Sequence, residues 1–111
     1  MSTEPVQQDP FSLRSGDDGV AFVVAVYGEV DLLTAGDLAR EIERGVASPC
    51  PEVIVDLSTV RFIDSTGLHV LIAASARAQE AGKTLRLLRP SPAVNKAFEI
   101  TGLDHELPFE D

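Results

Sequence analysis

The sequence predicts a single α/β domain: a mixed, open β-sheet with helices packed against it, in the order ββαβαβα with a possible short last strand. Three observations lead there. β-branched and apolar runs alternate with stretches whose apolar residues recur at helical spacing. A strand–helix–strand succession favours parallel pairing with a right-handed crossover. Two strand patterns stand before the first helix with only a turn between them, which reads as a hairpin. At 111 residues and 11.9 kDa the chain has room for one core.

Residues 1–9 are polar and predict a loose tail, leaving 10–111 as the domain. Phe11 and Leu13 alternate with Ser12 and Arg14 as a short strand does, and Ser15-Gly16-Asp17-Asp18-Gly19 is dense in turn formers. Val20 to Tyr27 is nearly continuous apolar sequence, which predicts a strand covered on both faces or nearly so, broken by Gly28. Asp31 or Thr34 can cap the first helix, Thr34 making a loose capping box with Asp37. Ala35, Leu38, Ile42 and Val46 share one helical face, with Asp37, Arg40, Glu41 and Arg44 outside it. Ser48-Pro49-Cys50-Pro51 ends that helix, and Val53, Val55 and Leu57 alternate with Ile54 and Asp56 in the next strand.

A connector follows in which Val60 and Phe62 read as core anchors. The second helix, begun at Asp64-Ser65-Thr66-Gly67, sets Leu68, Leu71, Ile72, Ser75 and Ala76 on one face and stops at Gly82. Thr84 to Arg89 is a strand with Leu85 and Leu87 on one side. Ser91-Pro92 is a helix start, Val94, Ala97 and Phe98 point inward, and Gly102 ends the helix. Leu107 to Phe109 adds the short edge strand, a place where Pro108 is tolerated.

Charge narrows the functional classes. With 18 acidic against 9 basic residues the formal net charge is -9, which opposes contact with nucleic acid or anionic membrane. The expected partners are proteins with basic or apolar docking patches. Cys50 is the only cysteine, so no internal disulfide forms and a reducing cytoplasm fits. The longest apolar run is far short of the roughly 20 residues of a membrane span, and Met1 to Pro10 has no apolar segment of a signal peptide. His69, His105 and Cys50 lie too far apart for metal-ligand spacing, and Gly16-Asp17-Asp18-Gly19 is too short for a calcium loop. No phosphate-binding or dinucleotide fingerprint is present, so no cofactor is expected.

Asp64-Ser65-Thr66-Gly67 puts two hydroxyls and a carboxylate at a helix start. One reading is local: Asp64 or Ser65 caps the helix and Gly67 eases the turn. The other is a phosphoacceptor at Ser65, exposed beside unpaired backbone N–H groups that can hold a phosphate, with Gly67 allowing another protein to approach. Parallel pairing of the strands before Asp31 and before Ser65 predicts that both residues stand on one edge of the sheet. His69 follows Ser65 by four residues and shares its helical face, so a small Ser65/His69 hydrolase is conceivable. No Gly-x-Ser-x-Gly elbow supports that chemistry, and the reading is not an enzyme.

Val53-Ile54-Val55-Asp56-Leu57 followed by Phe62-Ile63-Asp64-Ser65-Thr66-Gly67-Leu68 resembles the signature of bacterial anti-sigma factor antagonists, which are STAS domains. Gly28-Glu29-Val30-Asp31 with Thr34-Ala35, and Ser91-Pro92-Ala93-Val94 through Phe98 to Thr101-Gly102-Leu103, agree with it in the same order, so the resemblance spans about residues 11–109. The resemblance implies a STAS fold and no catalysis. It implies a partner, an anti-sigma factor with serine kinase activity, that the unmodified protein binds. It also implies inactivation by phosphorylation at Ser65 and recovery by a phosphoserine phosphatase. Asp31, Asp64, Ser65, Thr66, Gly67 and His69 are then the partner-binding residues. A STAS module of another signalling or transport complex is the alternative.

Overall fold

The computed structural model describes residues 11–110, and the expected tail at residues 1–9 lies outside the described residues. Strand β1 (Ser12–Asp17) folds back on β2 (Ala21–Val30); α1 (Ala35–Ala47) crosses to β3 (Glu52–Ile63) and α2 (Ser65–Glu80) to β4 (Thr84–Leu88). Helix α3 (Pro92–Thr101), a 3-10 turn (Leu103–His105) and β5 (Phe109–Glu110) close the described chain. The five strands lie in the order β1-β2-β3-β4-β5, with β1 antiparallel to β2 and the other three pairings parallel. The ββαβαβα order with a short last strand is thus the observed one.

Strand β1 runs further than its side chains suggest. Ser15, Gly16 and Asp17, expected in a turn, pair with Val24, Val23 and Phe22, because ladder hydrogen bonds use the backbone whatever the side chain. The turn shrinks to Asp18-Gly19-Val20, held by the Asp18 carboxylate, which accepts from Val20 N–H and Ala21 N–H at 2.9 Å each. Gly28 does not end β2. It takes φ 91° and the register with β3 shifts between Gly28 and Glu29, so the glycine makes a bulge and the strand continues to Val30. The two faces of β2 differ within the near-complete cover its apolar run predicts: Val24, Val26 and Val30 are fully buried, whereas Val23, Ala25 and Tyr27 are partly buried.

Helix α1 packs on β2 and β3, α2 on β3 and β4, and the two helices on each other. Leu38, Ile42 and Val46 are buried on the face the spacing predicts, each burial stabilising by about 1.5–3 kcal/mol. In α2 the buried stripe is Gly67, Leu68, Leu71, Ala74 and Ala78, leaving Ile72 40% exposed and Ala76 exposed, contrary to expectation. The expected connector after Leu57 is the continuation of β3. Irregular pairing there turns both Val60 and Ile63 inward, so Phe62, expected as a core anchor, is 48% exposed. Cys50 is buried, and Lys83 Nζ donates to the carbonyls of Ser48 and Cys50 at 2.6 Å each, tying the end of α1 to the start of β4. Phe98 meets Phe109 edge-to-face with centroids 5.0 Å apart. Among the described residues no helix is long and apolar enough to cross a membrane.

Candidate functional site

Two turns stand side by side where β2 and β3 end. Val30 pairs with Ile63, and Asp64 N–H donates to the Val30 carbonyl at 3.1 Å, so the turn opened by Asp31 adjoins the start of α2. The expected shared edge for Asp31 and Ser65 is what the parallel pairing produces.

Asp31 organises its own turn. Its Oδ1 accepts from Leu33 N–H at 3.0 Å and Thr34 N–H at 3.2 Å, while Asp31 N–H donates to Thr34 Oγ1 at 2.9 Å. Asp31 and Thr34 are therefore reciprocally bonded across the turn that precedes α1, while Thr34, the N-cap of α1, makes no side-chain bond to the helix. The expected Thr34–Asp37 box does not form, because Thr34 Oγ1 donates to the Glu29 carbonyl at 2.9 Å and Asp37 pairs with Arg40. Held in this turn, Leu32 and Leu33 point outward, 76% and 87% exposed.

Asp64 is the N-cap of α2. Its Oδ1 accepts from Thr66 N–H at 2.9 Å and Gly67 N–H at 3.2 Å. This narrows one expectation: the N–H groups of Thr66 and Gly67 are engaged by Asp64 rather than open to a phosphate. Ser65 is the first residue of α2 and is exposed; Thr66 is half-buried. Gly67 is buried, and a Cβ there would meet Ile63 Cγ1 at 2.6 Å and Val30 Cγ1 at 2.8 Å. Its lack of a side chain lets the first turn of α2 sit close on β2 and β3, which is a packing reason for a glycine here.

His69 is exposed and lines, with Thr66 and Val70, a cleft of about 410 Å³ between α1 and α2. Glu43 and Arg77 line the same cleft and form an ion pair across it at 3.0 Å. Among the described residues no group of three or more His, Cys, Asp or Glu is placed to hold a metal ion. The arrangement thus offers an exposed primary hydroxyl, a neighbouring carboxylate already spent on the helix start, and two apolar side chains on the same edge. The outward leucines escaped the sequence reading, although two adjacent leucines between turn formers Asp31 and Thr34 are the signal that marks them.

The profile of the family described as "Mlab, STAS domain" matches residues 13–109. The anti-sigma-F factor antagonist RsfB of Mycobacterium tuberculosis is 31% identical over 96 residues, which is 86% of this chain and 78% of that protein. An anti-sigma-B factor antagonist of Staphylococcus aureus is 30% identical over 103 residues, 93% of this chain and 86% of that one. The crystal structure of an anti-sigma factor antagonist from Mycobacterium paratuberculosis matches with a TM-score of 0.82 at 31% identity, covering 93% of this chain and 87% of that one. The unphosphorylated antagonist SpoIIAA matches with a TM-score of 0.74 at 22% identity, over 92% of this chain and 87% of that one, a likeness of fold alone.

Proposed function

The chain belongs to the STAS domain family of bacterial anti-sigma factor antagonists, and from that premise we propose that it binds an anti-sigma factor with serine kinase activity and is switched off when that partner phosphorylates Ser65. Bound in this way the anti-sigma factor releases its sigma factor, and a phosphoserine phosphatase returns the antagonist to its binding form. The protein works in the cytoplasm as a regulator and catalyses nothing itself. The exposure of Ser65 at the first position of α2, on the edge that also presents Asp31, Leu32 and Leu33, carries this reading.

In the transfer step the Ser65 hydroxyl loses its proton and takes the γ-phosphoryl group of ATP, releasing ADP. Asp64 holds the helix start rigid while the kinase reaches Ser65, and Asp31 and His69 flank it. Thr66 is half-buried and turned to the cleft between α1 and α2, which makes it the poorer acceptor. Gly67 serves by seating the turn on the sheet. The outward leucines supply apolar area for the partner, in keeping with an interface whose centre is desolvated.

Incubation with the cognate kinase and ATP, followed by mass spectrometric mapping, tests the assignment. Phosphate chiefly on Ser65 is expected; phosphate chiefly on Thr66 or elsewhere overturns it. The profile match described as "Mlab, STAS domain" favours, as a second reading, a STAS module of another complex. Measured binding to a small ATP-binding anti-sigma factor separates the two.

A further inference from the structure

We infer that a phosphate on Ser65 is held by His69, whose imidazolium donates a charge-assisted hydrogen bond to it across one turn of α2. This rests on the reading of Ser65 as the phosphoacceptor. Ser65 and His69 are four residues apart in α2 and both are exposed, so they stack on one helical face about 5–6 Å apart at Cβ. A side chain at the later position leans toward the helix start. The phosphate ester adds the reach that a serine hydroxyl lacks.

Two of the donors that usually greet an anion at a helix start, the N–H groups of Thr66 and Gly67, are engaged. Asp64 Oδ1 takes Thr66 N–H and Gly67 N–H at 2.9 and 3.2 Å. From Ser65 to Ala76 the helix carries no lysine or arginine, and the next cation, Arg77, is bonded to Glu43 at 3.0 Å. His69 is the one side chain in those three turns that can become a cation. The charged groups facing it are Glu43 on α1 and Arg77 on α2, which line the same cleft and offset each other. A phosphate of about -1.5 to -2 charges outcompetes that neutralised carboxylate for the imidazolium. The contact holds the phosphate over α2 and compensates part of its charge beside Asp31 and Asp64, so the off state keeps its helix start.

The test uses the full chain with phosphoserine encoded genetically at position 65, followed by phosphorus-31 NMR across pH. Beside His69 the second ionisation of the phosphate should fall roughly half a pH unit below that in the His69→Gln protein, the size an exposed ion pair supplies. His69→Arg should restore the lowered value, and strong salt should shrink the difference. A second readout is thermal: His69→Gln should lower the melting temperature of the phosphoserine protein and leave that of the unmodified protein unchanged. Coincident titration curves for the parent and His69→Gln overturn the inference. Because the phosphoserine is encoded, this result does not depend on which residue a kinase chooses, and that reading stands or falls on the mass spectrometric map.

Discussion

Asp64 donates its backbone N–H to the carbonyl of Val30 at 3.1 Å, and this bond joins two turns that are far apart in sequence. It continues the parallel β2–β3 pairing beyond Val30 and Ile63. On one side of it Asp31 ties down a turn with exposed leucines; on the other Asp64 ties down the helix that begins with Ser65. A surface recognised at Ser65 is therefore recognised with the Asp31 turn beside it, and neither can shift without straining the sheet.

Asp31 has two roles that substitution can separate. Asn keeps an oxygen acceptor for Leu33 N–H and Thr34 N–H, so Asp31→Asn should melt near the parent temperature while weakening partner docking or slowing phosphorylation. Ala removes the acceptor, and Asp31→Ala should cost about 1–2 kcal/mol in urea unfolding as lost caps do. Unchanged docking and unchanged phosphorylation in Asp31→Asn would show that its charge plays no part.

Gly67 should tolerate no side chain. Ile63 and Val30 stand 2.6 and 2.8 Å from where its Cβ would lie, and both belong to the sheet beneath. Gly67→Ala is expected to lose about 1–3 kcal/mol in chemical denaturation, as overpacking does. Gly16→Ala is the control: nothing lies within 4 Å of its Cβ position, and its change should stay within about 0.5 kcal/mol. Equal, small effects at both glycines would refute the packing account.

The parts legible in the sequence are those where local pattern and tertiary packing agree. The α1 face, the strand–helix–strand crossovers and the shared edge of Asp31 and Ser65 follow from spacing and connectivity alone. Disagreements arise where one local signal serves two structures. A glycine marks a strand end and a bulge alike, and Gly28 is a bulge. Helix α2 is apolar on several sides, with Leu68, Val70, Leu71, Ile72 and a run of alanines, so periodicity alone allowed a face rotated toward Ile72 and Ala76. Only the sheet beneath chose the stripe through Leu71 and Ala74. At the site, the Asp64-Ser65 pair was readable both as a cap and as a phosphoacceptor. The structure shows Asp64 capping, which leaves Ser65 the exposed hydroxyl.

Asp18 should make the β1–β2 turn sensitive to acid. Hydrogen bonds from Ala21 N–H and Val20 N–H hold its carboxyl below the usual carboxylate range. A lowered folded-state value means that the stabilisation is present above the unfolded value of about 4 and is lost as pH falls through the lower folded one. Asp18→Ala should thus melt below the parent at neutral pH, and the gap should close as pH drops below about 4. Asp18→Asn, which keeps an acceptor without a titrating charge, should show a smaller deficit. A gap for Asp18→Ala that stays constant down to about pH 2.5 would rule out the charged hydrogen bonds as its source.

Charge at Ser65 should disable docking without unfolding the domain. The first turn of α2 has no acidic residue, and a negative group there meets the positive end of the helix dipole, favourable by about 0.3–1 kcal/mol. Ser65→Asp and Ser65→Glu should therefore melt at or slightly above the parent temperature. In the interface the same charge must lose water beside Asp64 and Asp31, whose carboxylates stand on the same edge. A mismatched charge in a buried interface costs about 2–5 kcal/mol, roughly 30- to 5,000-fold in affinity. Ser65→Ala, which removes only a hydroxyl, should bind the anti-sigma factor constitutively. Calorimetric titration of the three variants against that partner reads the effect directly. Equal affinities would place any switch elsewhere, and a collapsed melting temperature in the acidic variants would mean that charge acts by unravelling the start of α2.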